Sequence, residues 1–429
     1  MTSRRSLLQA GLAAGFPLIV KAQTLGRAGG VAASDRVTLA TIGCGNMGTG
    51  HLTNFLKLPA AKVLAVCDVF DEHLTKAKDR VDQRYGNKDC ATYRAFEEVL
   101  ARRDIDAVTM AVPDHWHGIV AVSALRAGKD VYGEKPLAHN LREGLAIVNH
   151  VAKYNRIWQT GSWQRSRENF HRACELVRNG RVGKVTRVEV GLPGGPFGYG
   201  KLADKTPFVD PPAGFQWDRW LGPGPEARYS EARAHFNWRW ALDYGGGQLM
   251  DWVGHHVDIA HWGMGWDETG PYQVEGVGEY PERQALWNSA KRYRIEAKYP
   301  GGVDVVIAGG HDDIRGGTRW NGDKGWIWVN RGALEAGPAS ILEEKIGENE
   351  IHLTKSSDHY AQFLECVKSR KETITPARIA HRSATPGWLG HIAMITGRRL
   401  RWDAEKQDIL HDPSARELLG REMRAPWRL

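Results

Sequence analysis

Three stretches of the sequence hold residues of the right type and spacing for chemistry. The first is Gly43-Cys44-Gly45-Asn46-Met47-Gly48, a GxGxxG run that follows the β-rich segment Arg36–Ile42 and opens a helical pattern. Glycines so placed permit a tight turn and let a pyrophosphate approach a helix N-terminus. Twenty positions after Gly48, the strand-like run Lys62–Cys67 ends in Asp68. That is the spacing at which a carboxylate meets the ribose hydroxyls of adenosine, and its charge would repel a 2′-phosphate, which favours NAD over NADP. The second stretch is a pair of polar clusters, Asp114–His117 after Pro113 and Glu134-Lys135 before Pro136, each following a short apolar run. The third is Asp251, His255, Asp258 and Trp262, in a helix expected over Gln248–Trp262 with Gly263 as its C-cap. On an α-helix these four share one face, where a core stripe should be apolar. Acid, imidazole, acid and indole there need partners or a task. A satisfied buried network or a solvent-facing stripe would account for the same pattern. His255 is suited to removing a hydroxyl proton near neutral pH, with Asp251 one turn away to orient or tune it. A metal site from Asp251, His255 and Asp258 lacks a complete ligand set, so no metal is expected.

The elements needed to position these residues are legible in outline. Between Arg36 and Thr160, strand-like runs alternate with helical ones, which predicts an α/β fold with a doubly wound parallel sheet. Ligands bind beyond the carboxyl ends of such strands, where both polar clusters fall. After about Gly161 the pattern changes to an α+β domain with an open, mostly antiparallel sheet, its strands expected at Lys184–Val190, Tyr293–Lys298, Val303–Ala308 and Gly325–Val329. Between them, Pro193–Trp240 is rich in glycine, proline and aromatics, a composition that suits a binding wall, a lid or an oligomer contact. Helices are expected at Ser357–Arg370 and Pro376–Thr396, a strand at Arg398–Trp402, and the tail from Ser414 should pack on the body or on a neighbouring subunit.

The N-terminus reads as an address. Arg4-Arg5, a modestly apolar stretch from Ala10 to Val20, and small residues around Ala22 form the pattern of a signal peptide exported by the Tat route. The expected division is 1–22 signal peptide, 23–35 linker, 36–157 Rossmann domain and 158–429 substrate-binding and oligomerisation domain. The 429 residues carry a formal net charge of +8, and three of the positive charges lie in the first 22 residues. The remaining basic residues are dispersed, which gives little support for nucleic-acid binding. No apolar run reaches the ~18 residues of a membrane span, so no membrane association is expected once the signal is cleaved. The five cysteines are widely spaced with no CxxC pair and read as core thiols.

The strand–GxGxxG unit, the Glu134-Lys135-Pro136 turn and Asp251-xxx-His255-xx-Asp258 after the Gly245–Gly247 run together resemble the Gfo/Idh/MocA oxidoreductases, from Arg36 to the tail. The resemblance implies Lys135 as the active-site lysine beside the nicotinamide, with Asp251 and His255 as the catalytic pair. It implies cofactor contacts from Gly43, Gly45, Asn46, Met47, Gly48, Asp68, Pro113, His117, Glu134, Lys135 and Gln164. Substrate contacts are expected from Trp116, Trp163, Arg165, Asp251 and His255. One position departs from the pattern: many members have glycine two residues after the aspartate, and this chain has Val253. The implied activity is an exported NAD-dependent oxidoreductase of a sugar, polyol or sugar derivative, assembled as a homo-oligomer. Because the periplasm lacks a dependable NAD pool, the NAD should be tightly held and recycled within each turnover. An NAD-dependent glycoside hydrolase or lyase working through a transient keto-sugar is the alternative. A non-catalytic sugar-binding protein on the same fold is a second.

Overall fold

A computed structural model of the protein describes residues 31–195, 206–282 and 285–429; the expected export address lies outside the described residues. The chain begins with β1 (Val37–Ile42), α1 (Asn46–Phe55), β2 (Ala61–Cys67), α2 (Asp71–Tyr85), β3 (Ala91–Tyr93), α3 (Phe96–Ala101), β4 (Ala107–Met110), α4 (Asp114–Arg126), β5 (Asp130–Gly133), α5 (Leu141–Tyr154) and β6 (Trp158–Thr160). The six strands form one parallel sheet in the order β3-β2-β1-β4-β5-β6, the doubly wound arrangement expected. Buried on both faces, β4 and β5 read as unbroken runs without alternation. β6 pairs in register with β5, so the first domain extends to Thr160, three residues past the expected boundary at 157. The start of α5 is fixed by a reciprocal cap: Asn140 Oδ1 accepts from the Glu143 N–H at 3.0 Å, while Asn140 Nδ2 donates to Glu143 Oε1 at 2.6 Å.

The second domain continues with α6 (Glu168–Arg178), β7 (Val185–Leu192), α7 (Trp217–Leu221), α8 (Gly247–Trp252), one π-helical turn (Val253–Val257) and α9 (Asp258–Met264). Strands β8 (Gln273–Glu279), β9 (Arg292–Tyr299), β10 (Val303–Gly309), β11 (Gly317–Gly322), β12 (Gly325–Asn330) and β13 (Ala333–Gly337) come next. The chain closes with α10 (His359–Ser369), α11 (Ala377–Thr396), β14 (Leu400–Asp403), β15 (Asp408–Leu410) and α12 (Pro413–Glu417). Nine strands pair in the order β13-β12-β11-β7-β10-β9-β8-β14-β15, all antiparallel except β7 with β10. One face alternates into the core through Val188, Ile295, Val305 and Ile327. The other carries ion pairs such as Arg187–Glu189 and Lys298–Asp304. Four strands, β8, β11, β13 and β15, exceed the sequence expectation.

Two features bind the domains together. α10 returns to the first domain, where Phe363, Leu364 and Val367 join the core around Leu39, Phe55 and Tyr132. The tail packs on the body: Trp427 meets Trp116 edge-on at 4.7 Å, and Arg421 pairs with Glu143 at 2.7 Å. The helix expected over Gln248–Trp262 forms, but its end differs. Gly263 lies against Trp320, with no room for a Cβ, and the left-handed cap is Gly265 at φ 72°.

Candidate functional site

A cavity of 470 Å³ opens at the carboxyl ends of β1, β4 and β5. One end is made by the glycine turn. Gly43 holds φ +83°, and a Cβ there would lie 2.5 Å from the Ala111 carbonyl oxygen; a Cβ on Gly48 would lie 1.8 Å from the Gly43 oxygen. At Gly45 a Cβ would meet nothing nearer than His73, at 3.8 Å, so this backbone is open to a ligand at the N-terminus of α1. Asn46 and Met47 line the same end. Asp68 accepts from the Cys44 and Phe70 N–H groups at 2.7 and 2.9 Å, with His73 Nδ1 3.6 Å away. Phe215, His235 and Phe236, from the aromatic segment after β7, form the facing wall. The turn, the acid at the β2 end and the open backbone suit a dinucleotide.

The other end is held by long-range contacts. Lys135, at the β5 end, donates from Nζ to the Asp251 carbonyl at 2.7 Å and to Asp251 Oδ1 at 2.9 Å. Its stem passes Gly254, where a Cβ would come within 2.7 Å of Lys135 Cβ. The close approach thus falls three residues after the aspartate, at Gly254, while Val253 is fully buried beside Gly387. Arg239 Nε donates to the same Asp251 oxygen at 3.2 Å. Burial pushes the Asp251 carboxyl up, but Lys135 and Arg239 outweigh it and hold it below the usual carboxylate range. His117 bridges the carbonyls of Pro136 and Val112 at 2.7 and 2.9 Å, joining the two strand-end loops; burial lowers its pKa. Glu134 lies 2.9 Å from His51 Nε2 and receives the Lys135 N–H at 3.2 Å. Pro113 and Trp116 also line the cavity, with the Trp116 N–H committed to the Trp220 carbonyl at 2.8 Å.

The π turn divides the expected stripe. One extra residue in a helical turn rotates the remainder of the helix by roughly 100°. Asp251 faces the cavity, whereas His255 sits past it, buried, with its ring 5.4 Å from Trp252 and 6.1 Å from Trp163. Asp251 is bonded by Lys135 and Arg239, and no hydrogen bond joins it to His255. His255 Nδ1 is buried without a partner. Burial, with Lys135 and Arg331 nearby, holds this imidazole well below its ordinary pKa, so it is neutral and able to accept a proton.

Three more expected contacts lie outside the cavity: Trp163, which stands against His255 instead, Arg165 and Gln164. Arg165, expected to meet substrate, is fully buried and forks onto Asp258 at 2.8 and 2.9 Å and onto Asp267 at 2.8 Å. This triad also accounts for Asp258. Gln164, expected at the cofactor, does not line the cavity; it donates to the His255 carbonyl at 3.4 Å and accepts from Arg331 at 3.3 Å. No group of three or more metal-ligating residues occurs among the described residues. All five cysteines are buried and unpaired.

Three residues went unassigned in the sequence. Arg239 lies in the aromatic segment, Arg331 in the turn after β12, and Asp114 is the first residue of α4. Asp114 lines the cavity and accepts from the Gly246 N–H. Burial pushes its carboxyl up to about 8; Arg239 and Lys135 oppose this and Asp251 adds to it. Its place behind Pro113 at a strand end was the available signal.

Comparison with known proteins decides the family. Residues 37–162 match the NAD-binding Rossmann fold of the Gfo/Idh/MocA oxidoreductase family, and residues 168–429 match its C-terminal alpha/beta domain. The chain belongs to this family. A glycosyl hydrolase family 109 protein of Saccharopolyspora erythraea is 33% identical over 203 residues, 43% of this chain and 44% of that one. A myo-inositol 2-dehydrogenase of Thermotoga maritima is 29% identical over 146 residues, 34% of this chain and 42% of that one. The chain thus spans less than half the length of these curated relatives. Among solved structures, the WlbA dehydrogenase of Bordetella pertussis, in complex with NADH and UDP-GlcNAcA, superposes with a TM-score of 0.62 at 18% identity, covering 86% of this chain and 99% of that one. The aldose-aldose oxidoreductase of Caulobacter crescentus does so with a TM-score of 0.60 at 20% identity, covering 85% and 99%. These likenesses concern the fold. This Gfo/Idh/MocA chain therefore pairs an NAD-binding Rossmann domain with a mixed, mostly antiparallel sheet domain.

Proposed function

We propose that this family member is an exported oxidoreductase of a sugar, polyol or sugar derivative that keeps its NAD through each turnover. The observation that carries the reading is the Lys135–Asp251 ion pair at the β5 end, in one cavity with the glycine turn and Asp68. Bound NAD supplies the hydride acceptor. The open Gly45 backbone and the α1 N-terminus would hold its pyrophosphate, and Asp68 would meet its ribose hydroxyls. Lys135, fixed by two bonds to Asp251, is a charged donor for the substrate oxygen, and Arg239 keeps Asp251 ionised. His255, held neutral beside Trp163 and Trp252, accepts the hydroxyl proton. Aromatic residues around the cavity exclude water. The sequence pattern at residues 1–22 supports export by the Tat route, and the resemblance supports a homo-oligomer. The test is to purify the exported protein and assay NAD by absorbance and mass spectrometry. An empty protein that turns over only with added NAD would rule out retention.

A second reading is favoured by Asp114 and by relatives named as glycosyl hydrolases. Asp114 is a carboxylic acid at neutral pH beside an ionised one, a pairing that gives an acid and a base in one site. In a redox-assisted glycosidase, Asp114 would hand its proton to the departing aglycon oxygen and regain one from water. Aglycon release without net NADH formation distinguishes this reading from the first.

A further inference from the structure

Beyond Asp251 the site continues in a group of side chains that the proposed chemistry does not use. Arg331, in the turn between β12 and β13, lies over Trp163 and Trp252, its guanidinium carbon 4.7 Å from each ring centroid. Its Nε donates to Gln164 Oε1 at 3.3 Å, and its backbone N–H to Asn330 Oδ1 at 2.7 Å. The same two indoles flank His255. Arg167 lies over Trp163 as well, at 5.1 Å. Neither Arg331 nor Arg167 has a carboxylate within ion-pairing distance among the described residues, whereas Arg165, two positions before Arg167, has two.

We infer that the exposed face beside His255, where Arg331 stacks on Trp163 and Trp252, takes a sugar bearing a carboxylate, a uronic acid or its glycoside, with the Arg331 guanidinium as the anchor. The inference rests on reading the site as one for carbohydrate and narrows its substrate class. Three observations carry it. The first is charge: Lys135 and Arg239 share Asp251, and neither Arg331 nor Arg167 has an ion-paired carboxylate among the described residues. A neutral sugar leaves them so, and a carboxylate does not. The second is geometry. Two indoles and Gln164 fix the guanidinium plane while leaving both terminal nitrogens free, and such a fork suits bidentate carboxylate recognition. Pre-organisation lowers the entropy lost on binding. The third is place: the anchor shares its aromatic walls with the unpartnered His255, so a sugar held there by its carboxylate presents hydroxyls to the proton acceptor.

The experiment is a titration of the purified holo-protein, monitored by tryptophan fluorescence and calorimetry. Sodium D-glucuronate and D-galacturonate are compared with D-glucose and D-galactose. Uronates should bind at least about tenfold more tightly than their neutral partners, with added salt weakening only the uronates. In Arg331→Gln the preference should disappear, and Arg331→Lys should keep part of it through charge without the fork. Equal binding of the two classes, no binding of uronate, or a preference that survives in Arg331→Gln would overturn the inference. NADH absorbance and aglycon release, read on the same samples, separate the two readings. Selective uronate binding with no chemistry on any sugar or glycoside breaks the enzymatic reading and leaves the anchor standing.

Discussion

The two ends of the cavity are built by different means. The cofactor end is made by consecutive residues: six positions, Gly43 to Gly48, set a turn whose shape depends on missing Cβ atoms. The substrate end gathers Lys135, Arg239, Asp251 and, beyond it, His255 and Arg331, from strand ends, loops and a distorted helix. The first is a property of local backbone; the second exists only after both domains have packed. A change at one end should therefore leave a different signature from a change at the other.

The largest effect is expected at the substrate end. Lys135→Ala removes the donor to the substrate oxygen and frees Asp251, and kcat should fall by roughly 10²–10⁴-fold, the usual range for a positioned proton-transfer or polarising group. The purified variant should still carry NAD, because the glycine turn is untouched. Loss of NAD along with activity would break the separation of the two ends. Next comes the frame of the substrate domain. Arg165→Met strips the buried Asp258 and the half-buried Asp267 of their counter-charge, and removing one partner of a buried pair such as Arg165–Asp258 costs about 3–5 kcal/mol. Thermal unfolding checks this; an unchanged Tm would show that the triad does not hold α9 in place.

The same contrast explains what the sequence made legible. The parallel sheet, the glycine turn and Asp68 could be read because each rests on periodicity or local spacing. Lys135 was singled out at a strand end and Asp251 and His255 by helical spacing, the resemblance supplying their roles, and the stripe from Asp251 to Trp262 assumed an unbroken α-helix. The π turn at Val253–Val257 breaks that assumption, which is why Asp258 parts from His255 and joins Arg165. β8 and β11 carry glycines that blur a strand pattern, and pairing with β9 and β7 supplies the order that propensity does not. Arg239 stacks on its neighbours Phe236 and Trp238, but the acid it serves lies at Asp251, and Arg331 rests on Trp163 and Trp252, so neither carried a local signal of its role. Sequence shows where a backbone must bend more readily than which distant side chains will meet.

The cofactor end is tested by the smallest change available to it. In Gly48→Ala the new methyl would strike the Gly43 carbonyl, and either the turn or α1 must shift. A strained backbone of this kind costs about 1–3 kcal/mol. NAD content should fall roughly in proportion to the distortion, while kcat per bound NAD stays near that of the wild type. A drop in kcat per bound NAD would show that the ends are coupled after all.

The subtlest prediction concerns Asp114, which stands between the two ends. Its folded pKa is pushed up to about 8, whereas an unfolded aspartate titrates near ~4. A carboxyl raised on folding contributes stability that is complete below the unfolded value and is lost as pH climbs through the folded one. Wild-type Tm should therefore decline relative to Asp114→Asn between about pH 4 and 8 and run parallel above. Activity has a second sign. His255, lowered by burial, must be neutral to accept a proton, so the rate rises through a pKa below 6.5 and then levels. If Asp114 donates a proton to an aglycon, the rate of release falls again near pH 8, and Asp114→Asn abolishes release while leaving that rising limb in simple alcohol oxidation. If sugar oxidation is the whole reaction, the upper limb is absent or insensitive to this substitution. One pair of pH profiles thus shows whether the acid between the two ends serves the chemistry or only marks where they meet.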